Sequence, residues 1–317
     1  MPDPSSTSDS GAPGPGDAGA SVLVATQVEA ERAPPATAAT APARRKLGVL
    51  FWICLGWVVA MALLAILASL LPLKNPNFQN YNALNTGPSL HNLLGTDDLG
   101  RDLLARIIFG SRVSLSVGFA SVALGMLVGG TLGMIAGYRG GITDNLINAG
   151  SFVILAFPPF LAILVVEAFW QPTTLLKLII IFAAVGAPQL FRVVRASTLA
   201  ATGRDYVVAA RALGATHRRI VTREILPNVV PAAISFALIG VALAIVIEGS
   251  LAFLGLSIKL PTASLGNIIS AGTQNNNLQT NIYPALLPSL YIFLLLSALT
   301  LMGDRLRSRF DVKEVSI

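Results

Sequence analysis

TGRDYVVAARALGATHRRIVTREILPNVVP, residues 202–231, is a wet stretch set between two strongly apolar segments. Tyr206 to Leu213 contains good helix formers, and Gly214 stands where a helix end needs a residue that tolerates positive φ. Thr216 is placed to cap a second short helix, which Pro227 is expected to limit at its far end. The spacing therefore predicts a helix, a glycine turn and a second helix. Seven arginines lie in or just before it (Arg192, Arg195, Arg204, Arg211, Arg218, Arg219 and Arg223), against only Asp205 and Glu224. Such an excess beside apolar spans marks a loop held on the cytoplasmic side. On charge alone, a loop that does nothing but set topology explains it equally well.

Composition points the same way. The chain of 317 residues is 54% hydrophobic and only 12% charged, with mean hydropathy +0.69. A soluble domain carries roughly 25% charged residues, so most of this surface does not face water, and an all-α integral membrane protein is expected. The net charge of +6 comes from basic residues gathered at the edges of apolar segments. That is a topology pattern rather than a nucleic-acid footprint. Cys54 is the only cysteine, which excludes a disulfide within the chain. His91 and His217 are far apart without ligand partners nearby, so no metal site is expected.

Six spans account for the hydropathy pattern. Residues 1–46, rich in Pro, Ala, Gly, Ser and Thr and ending in Arg44-Arg45-Lys46, are expected to be a disordered cytoplasmic tail. The apolar segment 47–71 is too long and too late for a secretory signal and long enough to cross a bilayer, giving a first span with its N-terminus inside. Residues 72–110 are expected outside, ending in an amphipathic helix at the membrane surface. There Leu103, Leu104, Ile107 and Ile108 recur at helical spacing with Arg101, Arg106 and Arg112 between them. The acidic run Asp97, Asp98, Asp102 lacks calcium-loop spacing and is expected to be a solvated turn.

The main membrane domain is expected over 111–304, with a cytoplasmic tail over 305–317 fixed inside by Arg305, Arg307, Arg309 and Lys313. Its first span, 113–137, carries Gly125, Gly129, Gly133 and Gly137 at every fourth position. That stripe allows a second backbone to approach closely, either within the chain or on a partner. Pro158-Pro159 falls near the middle of the next, 146–169. Consecutive prolines kink a helix, which serves a pathway lining or a purely structural bend. Further spans are expected at 174–194, 229–256 and 283–303. Glu248 is the one charge in the fifth, at a cost on the order of 3 kcal/mol in mid-membrane. It is a candidate for contact with a ligand's amino group, for pairing with a neighbouring helix or partner, or for protonation near the interface.

The order of residues in 202–231 adds a resemblance. Ala209-Ala210, Gly214 and Leu226-Pro227 resemble the coupling-loop signature of bacterial ABC-importer permeases, in which Glu-Ala-Ala, a Gly and a Leu-Pro recur at this spacing. Val208 stands where that family usually has Glu, and Ile225 falls one place late for its usual Ile. Gly95-Thr96-Asp97-Asp98-Leu99-Gly100-Arg101-Asp102 is similar to the phrase that precedes the core domain in the dipeptide, oligopeptide and nickel permease family, second permease type. The segments 251–256 and 264–267 resemble that family too, with Leu265 where Trp is common. The resemblance covers about residues 94–303. It implies a type I ABC-importer transmembrane domain whose coupling loop, with Asp205, Ala209, Ala210, Arg211, Gly214, Arg218, Leu226 and Pro227, docks on an ATPase subunit. The implied partners are a second permease, two ATP-binding subunits or one fused ATPase, and an extracytoplasmic substrate-binding protein.

An enzyme finds little support. Neither a nucleophile elbow nor a His-Glu-x-x-His helix occurs, and the Gly-x-x-x-x-Gly-Lys-[Ser/Thr] loop for ATP is absent. ATP and Mg are expected on other subunits, and no cofactor is expected on this chain. A self-sufficient secondary transporter is the rival from another class, but the repeated halves typical of such proteins are not visible. Peptide uptake is the expected function; nickel, haem and glutathione importers are alternatives within the same class.

Overall fold

The computed structural model describes residues 47–259, 261–274, 279 and 281–310. The expected disordered tail over 1–46, Lys313 and part of the loop before Asn281 lie outside the described residues. All regular structure among the described residues is helical. Helix α1 (Gly48–Leu67) has 20 residues and is about 30 Å long at 1.5 Å per residue, the thickness of a hydrocarbon core. It buries Phe51, Cys54 and Val58 against Leu115, Leu295 and Leu299. Trp52, Ile53 and Ile66 on its other side stay exposed, as a lipid-facing surface requires.

The second span begins earlier than expected. Helix α2 (Leu103–Gly125) continues through a π-helical turn (Met126–Gly130) into α3 (Thr131–Arg139), an unbroken run of 37 residues. The helix expected to lie at the membrane surface is therefore the opening turns of this span. Leu103 and Ile107 are buried against Ala263, Leu265 and Ile268. Nor is the acidic run a solvated turn. Asp97 is buried, and Arg101 Nε donates to its Oδ2 at 2.7 Å, with Arg106 Nε 3.4 Å from the same oxygen. Helical periodicity shows which residues share a face; it does not show whether water or protein covers that face.

The paired prolines make a sharp corner. Helices α4 (Gly141–Leu155) and α5 (Pro159–Phe169) meet at 73°, so together they form one broken span or a re-entrant loop. Pro159 forces the residue before it out of helical geometry, and Pro158 sits at ψ 124° accordingly. Helix α6 (Leu175–Thr202) is capped by Thr174 and extends beyond the expected end at 194.

At the fifth span the expectation for Pro227 fails. Helix α7 (Asp205–Ala212) is followed by the short α8 (His217–Arg219), a π-helical turn (Ile220–Ile225) and α9 (Leu226–Phe253), and the run His217–Phe253 is continuous. Pro227 lies in the first turn of α9, where a missing N–H is tolerated, and the wider π turn absorbs the change of register. Asn228 Nδ2 donates to the Glu224 carbonyl at 2.6 Å across the junction. Helix α10 (Leu265–Thr273), capped by Ser264, lies under the opening turns of α2. Helix α11 (Tyr283–Phe310) packs on α9 and α1.

The glycines settle how α2, α3 and α6 meet. A Cβ on Gly133 would stand 2.6 Å from the Phe191 carbonyl, and one on Gly137 would stand 2.9 Å from the Arg195 carbonyl. Gly129 faces the Ala187 carbonyl more closely still, and Gly125 faces Leu190 and Ala183. All four therefore contact α6 of the same chain. In a pure α-helix a four-residue stripe drifts around the axis, since four residues overshoot one turn of 3.6. The π turn at Met126–Gly130 closes i→i+5 bonds, turns less per residue, and keeps the stripe on α6.

Candidate functional site

The basic stretch folds as an exposed elbow rooted in the bundle by buried apolar side chains. Asp205 is the first residue of α7, where its charge suits the helix N-terminus. Val207 is fully buried among Val194, Ala201, Ile220 and Ile225, and Ala210 packs on the same cluster. Gly214 takes φ +77° with nothing near its absent side chain, so the turn depends on glycine for its backbone alone. Thr216 Oγ1 accepts from Arg219 N at 3.4 Å, which makes it the cap expected. Leu213 is 88% exposed, and Val208, Ala209, Arg211, Arg218, Leu226 and Pro227 are also exposed. Small and apolar groups, rimmed by arginine, thus face outward from this end of the bundle.

Spacing did not reveal the contacts that brace the elbow or the ion pair that joins two helices near it. Tyr138, at the end of α3, has its hydroxyl 2.6 Å from His217 Nδ1, and the Arg211 guanidinium carbon lies 5.8 Å from the centre of its ring. Asp144 of α4 and Arg195 of α6 form a two-bond ion pair, with Nη2 to Oδ2 at 2.5 Å and Nε to Oδ1 as its second bond. These partners are 51 residues apart, and only folding brings them together.

Above that ion pair lies a cleft of about 550 Å³ between α4, α6 and α9, lined by Asn148, Gln189, Arg192, Arg195 and Phe236 among others. A smaller, mainly apolar cavity of about 120 Å³ shares Gln189 and Phe236 with it and reaches Pro159 and Ile247. Pro159 therefore borders an internal space. Pro158 forms the corner itself. A glutamine inside an apolar run was the available signal for this cleft.

Glu248 is in a different place. It is fully buried, its Oε2 accepting from Ser114 Oγ and its Oε1 from Ser257 Oγ, both at 2.9 Å. Leu265 N donates to Ser114 Oγ at 3.3 Å, so the carboxylate links α2, α9 and the approach to α10. Of the roles expected of Glu248, its contacts here are to its own chain: a serine of α2 and one in the loop after α9.

Comparison with known proteins converges on one class. Residues 129–312 match the family described as binding-protein-dependent transport system inner membrane component. The chain is 36% identical to the glutathione transport system permease protein GsiD of Pectobacterium atrosepticum, over 77% of this chain and 80% of that one. It is also 36% identical to the dipeptide transport system permease protein DppC of Haemophilus influenzae, over 81% and 88%. Among solved structures, an inward-facing MetNI methionine ABC transporter matches with TM-score 0.53 at 21% identity, covering 65% of this chain and 96% of that one. The fold is that of a type I ABC-importer transmembrane domain, and the chain is a multi-pass membrane protein. With motif, fold and kinship in agreement, the chain belongs to the binding-protein-dependent inner membrane transport components, as a permease subunit of the peptide and glutathione type.

Proposed function

We propose that this subunit takes up dipeptides and oligopeptides as one of two permeases in an importer driven by ATP hydrolysis on separate subunits. The Gly214 elbow is the surface that those ATPase subunits grip. Both termini and the elbow are cytoplasmic in this reading, because Arg204, Arg211, Arg218 and Arg219 gather at one end of the bundle. A substrate-binding protein delivers solute at the opposite end, and ATP and Mg stay on the partners. Glutathione is the second reading, favoured by the equal identity to a glutathione permease.

The observation that carries the proposal is the exposed elbow continuous with a membrane rod. From His217 the helix runs to Phe253 without a break, so displacement of the elbow is passed to α9 as rigid-body motion. Closure of the ATPase pair then switches the bundle between openings to either side.

Gly214→Val in the assembled complex tests this. A β-branched residue at φ +77° costs at least ~1–2 kcal/mol and distorts the turn without touching a neighbour. Peptide uptake should fall at least tenfold while ATP hydrolysis persists. Gly203→Ala, in the same loop at φ −85° with open space around it, should keep both. Normal coupled uptake by Gly214→Val would sink the assignment.

A further inference from the structure

Arg192 is one of the two arginines of the basic set that line the cleft between α4, α6 and α9. It lies 17 residues into α6, about 26 Å from the Leu175 end, which is near the far edge of a hydrocarbon core of about 30 Å measured from that end. A charge at that depth is tolerated where it faces water or a partner. Its neighbour Arg195 is neutralised by Asp144 through two hydrogen bonds. Arg192 has no carboxylate within ion-pair distance among the described residues; its guanidinium lies 5.9 Å from the centre of the Phe152 ring. The cleft it lines thus carries one uncompensated positive charge. Gln189, one turn away on the same helix, and Asn148, across the cleft on α4, add amide groups to the same lining. By contrast, the lipid-facing side of α1 exposes Trp52, Ile53 and Ile66.

Resting on the importer reading, we infer that Arg192, with Gln189 and Asn148, forms a water-filled step in the path that handles the free carboxylate of the solute. The chemical class is a peptide or peptide-like anion. A guanidinium with flanking amides matches a planar carboxylate. The adjoining apolar cavity, joined through Gln189 and Phe236, accommodates the uncharged part of the solute. Because the arginine sits in an open cleft and not in an enclosed pocket, the interaction is weak enough to release the solute, as conduction requires.

The test uses the assembled complex in vesicles, with labelling read on this chain alone, Cys54→Ala removing its only thiol and Ala196→Cys placing a reporter in the cleft one turn from Arg192. Labelling rates are compared for a sulfonate-bearing and a trimethylammonium-bearing methanethiosulfonate, each normalised to a free thiol in solution. At the 5–6 Å spacing of helix neighbours, the anionic reagent should react roughly tenfold faster than the cationic one. Adding Arg192→Gln should bring the ratio near one. Alanyl-alanine should slow anionic labelling, and its C-terminal amide should slow it much less. An unreactive thiol, a ratio unchanged by Arg192→Gln, no slowing by alanyl-alanine, or equal slowing by both peptides would overturn the inference. Failure of the unmodified complex to take up peptide would instead overturn the importer reading, leaving the charge measurement to stand.

Discussion

The Tyr138 hydroxyl and His217 Nδ1 are 2.6 Å apart, so the last turn of α3 and the first residue of α8 share one hydrogen bond. Since α3 is pinned to α6 by glycines, the bond ties the elbow sideways to the partner of the helix it continues from. Besides its own link to α6, the elbow is thus joined to the bundle by the unbroken helix into α9 and by this lateral tie.

Tyr138→Phe should remove the tie and little else. An intramolecular hydrogen bond contributes about 0.5–1.5 kcal/mol net, and this one is exposed, so folding should be nearly unchanged. What should change is coupling. In reconstituted complexes the ATP consumed per peptide taken up should rise several-fold at unchanged ATPase content. An unaltered ratio would show that the bond is incidental.

Gly133→Ala should lower stability by about 1–3 kcal/mol, since its methyl group meets the Phe191 carbonyl and one helix must shift. Gly150→Ala, within α4 and facing open space, should be neutral or stabilising by up to about 1 kcal/mol. Melting temperatures of the two variants in one detergent provide the comparison, and equal values would contradict the close packing of α3 on α6.

Glu248→Ala should be far worse than Glu248→Gln. Alanine leaves a void and strands the Ser114 and Ser257 hydroxyls, at about 3 kcal/mol, whereas glutamine keeps an acceptor and the volume for about 1 kcal/mol. Because the carboxylate is enclosed, uptake by Glu248→Gln should change equally for a peptide and its N-acetylated form. Selective loss for the free amine would instead place this side chain against the solute.

Asp98 should make the segment before α2 sensitive to pH. Burial, and next the Asp97 charge, push its carboxyl above the ordinary carboxylate range, only partly offset by Arg101. A raised value means the folded form holds the proton more tightly. Its contribution is therefore complete below the ordinary pKa of about 4 and is lost as pH rises through the elevated value. Hydrogen exchange over 95–103, corrected for intrinsic rates, should show easier opening from pH 4 towards neutrality in the unmodified protein and a flatter profile in Asp98→Asn.

Much of the chain was legible as sequence wherever one local rule governed. Gly214 and Thr216 announced a turn and a cap, and hydropathy marked the spans. The failures share a cause. Amphipathic spacing predicts a surface helix with Arg101 and Arg106 between its apolar positions, yet Asp97 and the segment before α2 enclose both. Pro227 was read as a stop because its ring usually ends a helix, but here the π turn before it resets the register. The cleft of Gln189, Arg192 and Asn148 joins residues from two helices that proximity in sequence does not link.

The serine cage and the elbow sit near opposite ends of a single rod, and that fixes a gearing. Glu248 is 31 residues from His217, about 46 Å along the axis, and is held by two serines, so in the proposed importer it would act as a fulcrum. A sideways stroke of about 5 Å at His217 then rotates the rod by only about 6° and carries Phe236, about 18 Å from the pivot, some 2 Å. Force rather than travel would arrive at the cleft: a shift of that size is smaller than one water molecule, so it would re-aim the lining side chains and not swing the bundle apart. Spin-label distances along α9 should taper steadily towards Glu248 between nucleotide states, and a uniform displacement would mean the rod translates instead of pivoting.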